Sequence, residues 1–195
     1  MKHNIKRIAI TGGIGSGKSF ICEIIKELGE ACLSCDEISK ELWKNPEYQN
    51  ELARLFPNAC EFEKIDKKLL SNLVFNNPNE LKKLNNFSHP KIMDRLFLEI
   101  EGGDRSPIYA EVPLLFEGGY EDYFDKIIVV MREKSQRITS IIKRDNCTRE
   151  MVERKMAAQF DYDAADFSNP KYIIVKNNLC YNQLKENIQK IIQQK

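Results

Sequence analysis

The stretch Gly12-Gly13-Ile14-Gly15-Ser16-Gly17-Lys18-Ser19 fits G-x-x-x-x-G-K-[ST] without a gap. Residues of these types at this spacing suit one task, gripping a polyphosphate. Glycines let the main chain take positive φ and approach oxygen atoms closely. Lys18 is placed to reach β- and γ-phosphates, and the Ser19 hydroxyl to hold Mg²⁺. An apolar, β-branched run, Ile5 to Ile10, precedes the loop and reads as a buried strand. After the loop, Phe20, Ile21, Ile24, Ile25 and Leu28 recur at helical spacing. Strand, glycine loop and helix in this order present N–H groups and a helix N-terminus to an anion. The expected ligand is a nucleoside triphosphate with Mg²⁺. A glycine-rich connection that binds nothing is the competing reading, and the flanking elements speak against it.

Asp36 is the best candidate for the other half of a phosphoryl transfer. It follows a short strand expected from Ala31 to Cys35. A carboxylate there could accept a proton from an attacking hydroxyl or bind Mg²⁺ through water. It could also cap a helix, and these roles are compatible. Basic residues gather in two helices expected near 134–144 and 149–160, among them Arg137, Lys143, Arg144, Arg149, Arg154 and Lys155, with Arg132 just ahead. An arginine-bearing lid would supply cations over a migrating phosphoryl group, whereas solvated helical faces are the plainer reading for any one of them. Arg144 stands out because Arg144-Asp145-Asn146-Cys147-Thr148 reads as a break between helices, with Thr148 able to cap the second. His89-Pro90 reads as a helix start with proline in the first turn. Phe116, Tyr120, Tyr123 and Phe124 cluster after a strand at 107–112, where core packing is their expected fate. No acid ends the strand at 127–130, and Glu111 reads as lying inside its strand rather than at the tip. GTPase signatures are missing too. A small-molecule kinase therefore fits better than a motor or a switch.

The elements that must position these residues alternate strand with helix. That pattern predicts an α/β fold with a parallel sheet covered on both faces. Residues 46–106 read as a mostly helical insertion, and 1–45 with 107–195 as the nucleotide-binding core, with a lid at about 134–160. Further strands are expected at 126–131 and 172–175, and a closing amphipathic helix at 181–192. In open α/β sheets ligands gather at the carboxyl ends of the strands, which collects the loop, Asp36 and residues 113–119 around one cleft. Chain length, 195 residues, allows one sizeable core with small additions. A net charge of +1 gives no field to draw the chain onto nucleic acid or membrane. No apolar run is long enough to span a bilayer, and the opening MKHNIKRIAI lacks the apolar core of a signal peptide. A cytoplasmic setting follows, so the six cysteines are expected as free thiols. Cys32-x-x-Cys35 would put its thiols on opposite faces of a strand, which disfavours redox or zinc roles.

Taken together, these residues resemble the bacterial dephospho-CoA kinase family over nearly the whole chain. Thr11 to Ser19 has the family's typical loop form, and Ser34-Cys35-Asp36 matches its Asp-Ala-Asp. Asp66-Lys67, Leu69 to Phe75, His89-Pro90, Arg144-Asp145, Ala158-Gln159 and Asn177 match further segments. Val112-Pro113-Leu114-Leu115-Phe116-Glu117 matches V-P-L-L-F-E and is the most specific of them. The resemblance implies a P-loop NTPase fold with a five-stranded parallel sheet, a helical acceptor-binding insertion and a helical lid. It implies ATP as donor, Mg²⁺, and dephospho-CoA as acceptor at its ribose 3′-hydroxyl, in a monomer or weak homo-oligomer. Asp36 would be the general base and Arg144 the lid arginine. His89, Pro90, Leu114, Leu115 and Glu117 would form the CoA side, and Asn177 would join the nucleotide site. Three positions depart from the family: Ser34 for Asp, Lys67 for Arg, and Ser140 where many members carry an arginine, with Arg137 nearly a turn further back. Rival readings are another metabolite or nucleoside kinase on this scaffold, and a protein that binds nucleotide without turning it over.

Overall fold

Apolar runs that are buried on both sides need cover on both faces, and here they get it. The computed structural model describes residues 5–193. Residues 1–4, part of the opening stretch read above as lacking a signal peptide, and 194–195 lie outside the described residues. In chain order the elements are β1 (Arg7–Thr11), α1 (Lys18–Glu27), β2 (Ala31–Ser34), α2 (Cys35–Leu42), α3 (Pro46–Leu55), β3 (Cys60–Glu61), β4 (Lys64–Ile65), α4 (Lys67–Asn76), α5 (Pro78–Gly102), β5 (Ile108–Glu111), β6 (Lys126–Met131), α6 (Lys134–Asp145), α7 (Arg149–Ala157), β7 (Tyr172–Lys176) and α8 (Tyr181–Gln193). The chain divides into two compact units, 5–34 with 103–193, and 35–102. Among the described residues no helix is long and apolar enough to cross a membrane.

The first unit holds a five-stranded sheet in the order β2-β5-β1-β6-β7. Every pairing is parallel, as the alternating pattern predicts. Ile127 to Val130 of β6 have no exposed surface, as a central strand with both faces covered requires. Ile21, Ile24 and Ile25 of α1 and Leu184, Ile188 and Ile192 of α8 bury their stripes in one core with Ile8, Ile10 and Ile128. Helix α1 stops at Gly29, whose φ of +87° suits glycine, while the N–H of Glu30 returns to the Ile25 carbonyl. All six cysteines are free. Cys35, however, opens α2 instead of ending the strand, so the face argument for Cys32 and Cys35 does not apply.

The second unit is built around Tyr48, Leu52, Phe56, Ala59 and Leu70. Asn45 caps α3 by accepting from the N–H of Glu47 at 2.8 Å, with Pro46 in the first turn. Asp66 caps α4 through the N–H groups of Lys68 and Leu69. Two features depart from the sequence reading here. The insertion is mostly helical, and it also carries an unforeseen antiparallel hairpin, β3 with β4, whose turn residues Phe62 and Glu63 take φ of 47° and 64°. Those residue types give no turn signal, because positive φ is ordinarily supplied by Gly, Asn or Asp. His89-Pro90 is not a helix start, since Pro90 lies inside the 25-residue α5. The proline-first rule operates at Pro78 instead, where Asn77 accepts from the N–H of Asn79 at 3.0 Å. Pro90 brings no N–H for the carbonyl one turn earlier, a cost that burial of Met93, Leu96 and Ile100 offsets.

Leu52 has no exposed surface, so Leu52→Ala should cost about 2–5 kcal/mol of folding free energy. Urea unfolding followed by circular dichroism measures it, and a loss under about 1 kcal/mol would contradict this account of the second core.

Candidate active site

The glycine loop leaves the end of β1 and turns into α1 with Gly12, Gly15 and Gly17 at φ of 148°, 78° and 92°. Its carbonyls are held one by one. Lys18 Nζ donates to the Gly12 carbonyl at 2.9 Å and to that of Gly13 at 3.4 Å. Arg137 Nε donates to the Ile14 carbonyl at 3.0 Å, and an Arg132 terminal nitrogen reaches that of Gly15 at 3.5 Å. Asn177 Nδ2 donates to the Ser16 carbonyl at 2.8 Å. Gly17, at the N-cap of α1, contributes no side-chain cap. A helix start of this kind keeps its N–H groups for an anion. A Cβ on Gly17 would stand 2.1 Å from Asn177 Nδ2, so close approach as well as φ demands glycine there.

Glu111 corrects the sequence reading. It ends β5, in register with Ile10 and Ser34, and is buried. The Ser19 hydroxyl donates to Glu111 Oε1 at 2.9 Å. A hydroxyl and a carboxylate are hard oxygen donors, the set Mg²⁺ accepts when substrate phosphates and water complete its shell. No group of three or more His, Cys, Asp or Glu side chains suited to an all-protein metal cage occurs among the described residues. Ser19 and Glu111 therefore fit a Mg²⁺ that arrives with nucleotide.

Beside Gly17 lies a cavity of about 710 Å³ bounded by Phe20, Arg132, Ser140, Asn177 and Tyr181 among others. That volume is in the range of small-molecule sites. The rings of Phe20 and Tyr181 meet at 6.0 Å and form its aromatic side. Arg132 also donates to the Ser140 hydroxyl at 3.0 Å.

The remaining candidate residues divide. Asn177 donates to the loop at the Ser16 carbonyl. Arg144 closes α6 with its side chain 63% exposed and forks onto Asp145 at 2.7 and 3.2 Å. That hydrogen bond holds the Asp145 carboxyl below its ordinary range. Thr148 caps α7, as read from the sequence. Leu115 has no exposed surface and is a core residue, whereas Leu114 is half-buried. Glu117 accepts from the N–H of Phe160 at 2.9 Å, and Phe116 stacks on Phe160 at 4.5 Å, fastening the segment after α7. In the second unit, Asp36 is exposed in the first turn of α2, two residues past the end of β2. It stands inside the helix rather than at its cap. His89 is half-buried and Pro90 exposed on α5. Sequence reasoning named Arg137 among several basic residues and as the arginine nearly a turn before Ser140, without a partner for it. Its burial and its bond to Ile14, 123 positions away, have no local signal. Burial pushes its guanidinium pKa down, which Asp163 and Tyr162 oppose. Tyr162 shares a 2.9 Å hydrogen bond with the Thr11 hydroxyl, and burial raises its phenol pKa to about 12.

Comparison with known proteins gives the family. A family model described as dephospho-CoA kinase matches residues 6–182. A dephospho-CoA kinase of Fusobacterium nucleatum is 33% identical over 178 residues, covering 90% of this chain and 91% of the relative. One from Thermus thermophilus is 33% identical over 162 residues, 82% of this chain and 79% of that one. Among solved structures, a Thermus thermophilus protein superposes with a TM-score of 0.80 at 28% identity, over 97% of both chains. The dephospho-CoA kinase from Campylobacter jejuni does so with 0.66 at 32% identity, over 96% of both. By sequence and by fold, this chain belongs to the dephospho-CoA kinase family.

Proposed function

We propose that this protein transfers the γ-phosphoryl group of ATP to the ribose 3′-hydroxyl of dephospho-CoA, giving coenzyme A and ADP in the cytoplasm. The observation that carries the reading is the loop whose carbonyls from Gly12 to Ser16 each accept a side-chain donor. Such a loop presents a fixed set of main-chain dipoles to a triphosphate. The cavity beside Gly17 suits the nucleoside end of ATP, with Phe20 and Tyr181 on one side.

Catalysis then needs placement and charge more than covalent chemistry. Lys18 exchanges loop carbonyls for β- and γ-phosphate oxygens. Ser19 and Glu111 would hold Mg²⁺, which when bound neutralises charge on those phosphates. Asp36 orients the 3′-hydroxyl and takes its proton as the oxygen attacks phosphorus and ADP departs. Arg144 leaves its fork on Asp145 to cover the migrating group. The helical unit, with His89 and Pro90, and the Leu114 to Glu117 loop serve the acceptor. Leu115 supports that loop from the core.

Dephospho-CoA incubated with protein, ATP and Mg²⁺ should gain one phosphoryl group by mass spectrometry, and AMP, shikimate and nucleosides should not. ATP binding by calorimetry with no phosphorylated acceptor would leave a sensor in place of a kinase. Asp36→Asn should lower kcat about 10²–10⁴-fold with ATP affinity nearly intact, and wild-type turnover in that variant would remove Asp36 as the base. Gly17→Ala forces a Cβ against Asn177 at positive φ. Its ATP affinity should fall about ten- to a hundred-fold in calorimetric titration, whereas ligand-free melting should shift by only about a few degrees.

A further inference from the structure

Ile14 is held from three directions by one stretch of chain. Its N–H donates to Gln159 Oε1 at 2.8 Å, just past the end of α7. Its carbonyl accepts from Arg137 Nε at 3.0 Å, in the first half of α6. Its side chain packs on Ile138, Ile141 and Val152, the cluster that closes α6 on α7. The neighbouring glycines press on the same helix. A Cβ on Gly15 would lie 2.9 Å from Ile141 Cδ1, and one on Gly13 would lie 2.2 Å from an Arg137 terminal nitrogen. Arg137 itself is 6% exposed and has Asp163 at 3.7 Å on its other side. Loop tip and hairpin thus share one packed, hydrogen-bonded joint.

We propose that Ile14 couples the phosphate loop to the α6–α7 hairpin, with Arg137 and Gln159 as positioning residues for the phosphoryl donor. The inference rests on reading the loop as the ATP site. Both roots of the hairpin are tied to the loop, and only the far end, with Arg144, lies beyond the ties. Whatever orders the loop therefore orders the hairpin, including α7, which meets the loop through Val152 against Ile14 and, just past its end, through Gln159. Linkage makes this reciprocal: loosening the hairpin must weaken the donor's hold on the loop by the same factor. The acceptor residues proposed above are other residues, and the one tied to this segment, Glu117, holds the Phe160 N–H rather than Gln159. The joint also accounts for two glycines the loop pattern leaves open, Gly13 and Gly15, since each lies where α6 leaves no room for a side chain.

Two variants cut the joint in different places. Gln159→Met removes the acceptor for the Ile14 N–H at a half-buried position, and Ile14→Ala removes the apolar plug while leaving both main-chain bonds. Steady-state kinetics of the full chain should show KM for ATP raised about ten-fold in each, with KM for dephospho-CoA moved less than about two-fold. Amide hydrogen exchange with a non-hydrolysable ATP analogue and Mg²⁺ gives a second readout. In the wild type, the analogue should slow exchange in α1 and also in α7. In both variants, protection should persist in α1 and be lost in α7. Protection of α7 that survives in the variants, or a wild-type α7 indifferent to the analogue while α1 responds, would overturn the coupling. Equal rises in both KM values would also overturn it, marking a general loss of structure. An α1 that ignores the analogue in the wild type would instead sink the ATP-site reading and the coupling with it.

Discussion

A loop that offers its N–H groups to phosphate has to be held rigid by something other than those groups. Most of this structure answers that constraint. Helices and strands stiffen a chain by pairing N–H with C=O, but a phosphate cradle that did so would have nothing left to give its ligand. Here the stiffness comes through the carbonyl side. Five successive carbonyls, Gly12 to Ser16, accept from Lys18, Arg137, Arg132 and Asn177. One N–H, that of Ser16, closes a turn onto the Gly13 carbonyl at 3.1 Å. Another, that of Ile14, goes to Gln159. The donors are cationic or amide groups because a carbonyl oxygen accepts most strongly from charged or multidentate partners.

The parallel sheet explains how donors so far apart in sequence come to one place. β1 is central, flanked by β5 and β6, and every strand ends at the same edge. Glu111 leaves β5 beside the loop strand, so its carboxylate reaches Ser19 in the first turn of α1. Asn177 follows β7 directly, and its own N–H is fixed on the Met131 carbonyl at 2.8 Å before its side chain turns to Ser16. Arg132 and Arg137 follow β6 in the same way. The site is therefore a property of strand order as much as of any motif: β6 lying beside β1 brings the arginine helix onto the glycines.

Local signals in the sequence made the framework legible and left the joints unread. The loop, β6 and the amphipathic stripes of α1 and α8 are each encoded within a dozen residues, by spacing and residue type. V-P-L-L-F-E carried the family. The Phe62-Glu63 turn was missed because it uses positive φ without a turn-forming residue. Pro90 was misread because one turn of helix looks the same whether proline opens it or interrupts it, and only the burial of Met93 and Leu96 beyond it decides. Glu111 was misjudged by a single residue, since β5 stops there and not at Val112. That Arg137 and Gln159 meet at Ile14 could not be read, because Ile14 lies 123 and 145 positions away from them. The roles of Asp36 and Arg144 rest on motif and chemistry, and the geometry of Arg144 is that of a side chain engaged elsewhere, on Asp145.

Lys18, unlike Arg137, makes bonds to the loop that can be exchanged without loss of shape. The Gly13 carbonyl keeps the Ser16 N–H when the ammonium leaves, and the chain on either side of Gly12 stays fixed by β1 and by the turn. The bonds to the Ile14 and Ser16 carbonyls, in contrast, come from Arg137 and Asn177, and releasing either frees a peptide whose orientation defines the cradle. Lys18 is also half-buried, already parted from some of its water. The proposed move of its ammonium from neutral carbonyls to phosphate oxygens would trade dipoles for full charges at little further desolvation cost. Arg137, buried and committed to the loop, has no such freedom. A guanidinium with a planar fork suits a fixed brace, and a single ammonium on a flexible stem suits a group that must follow its ligand.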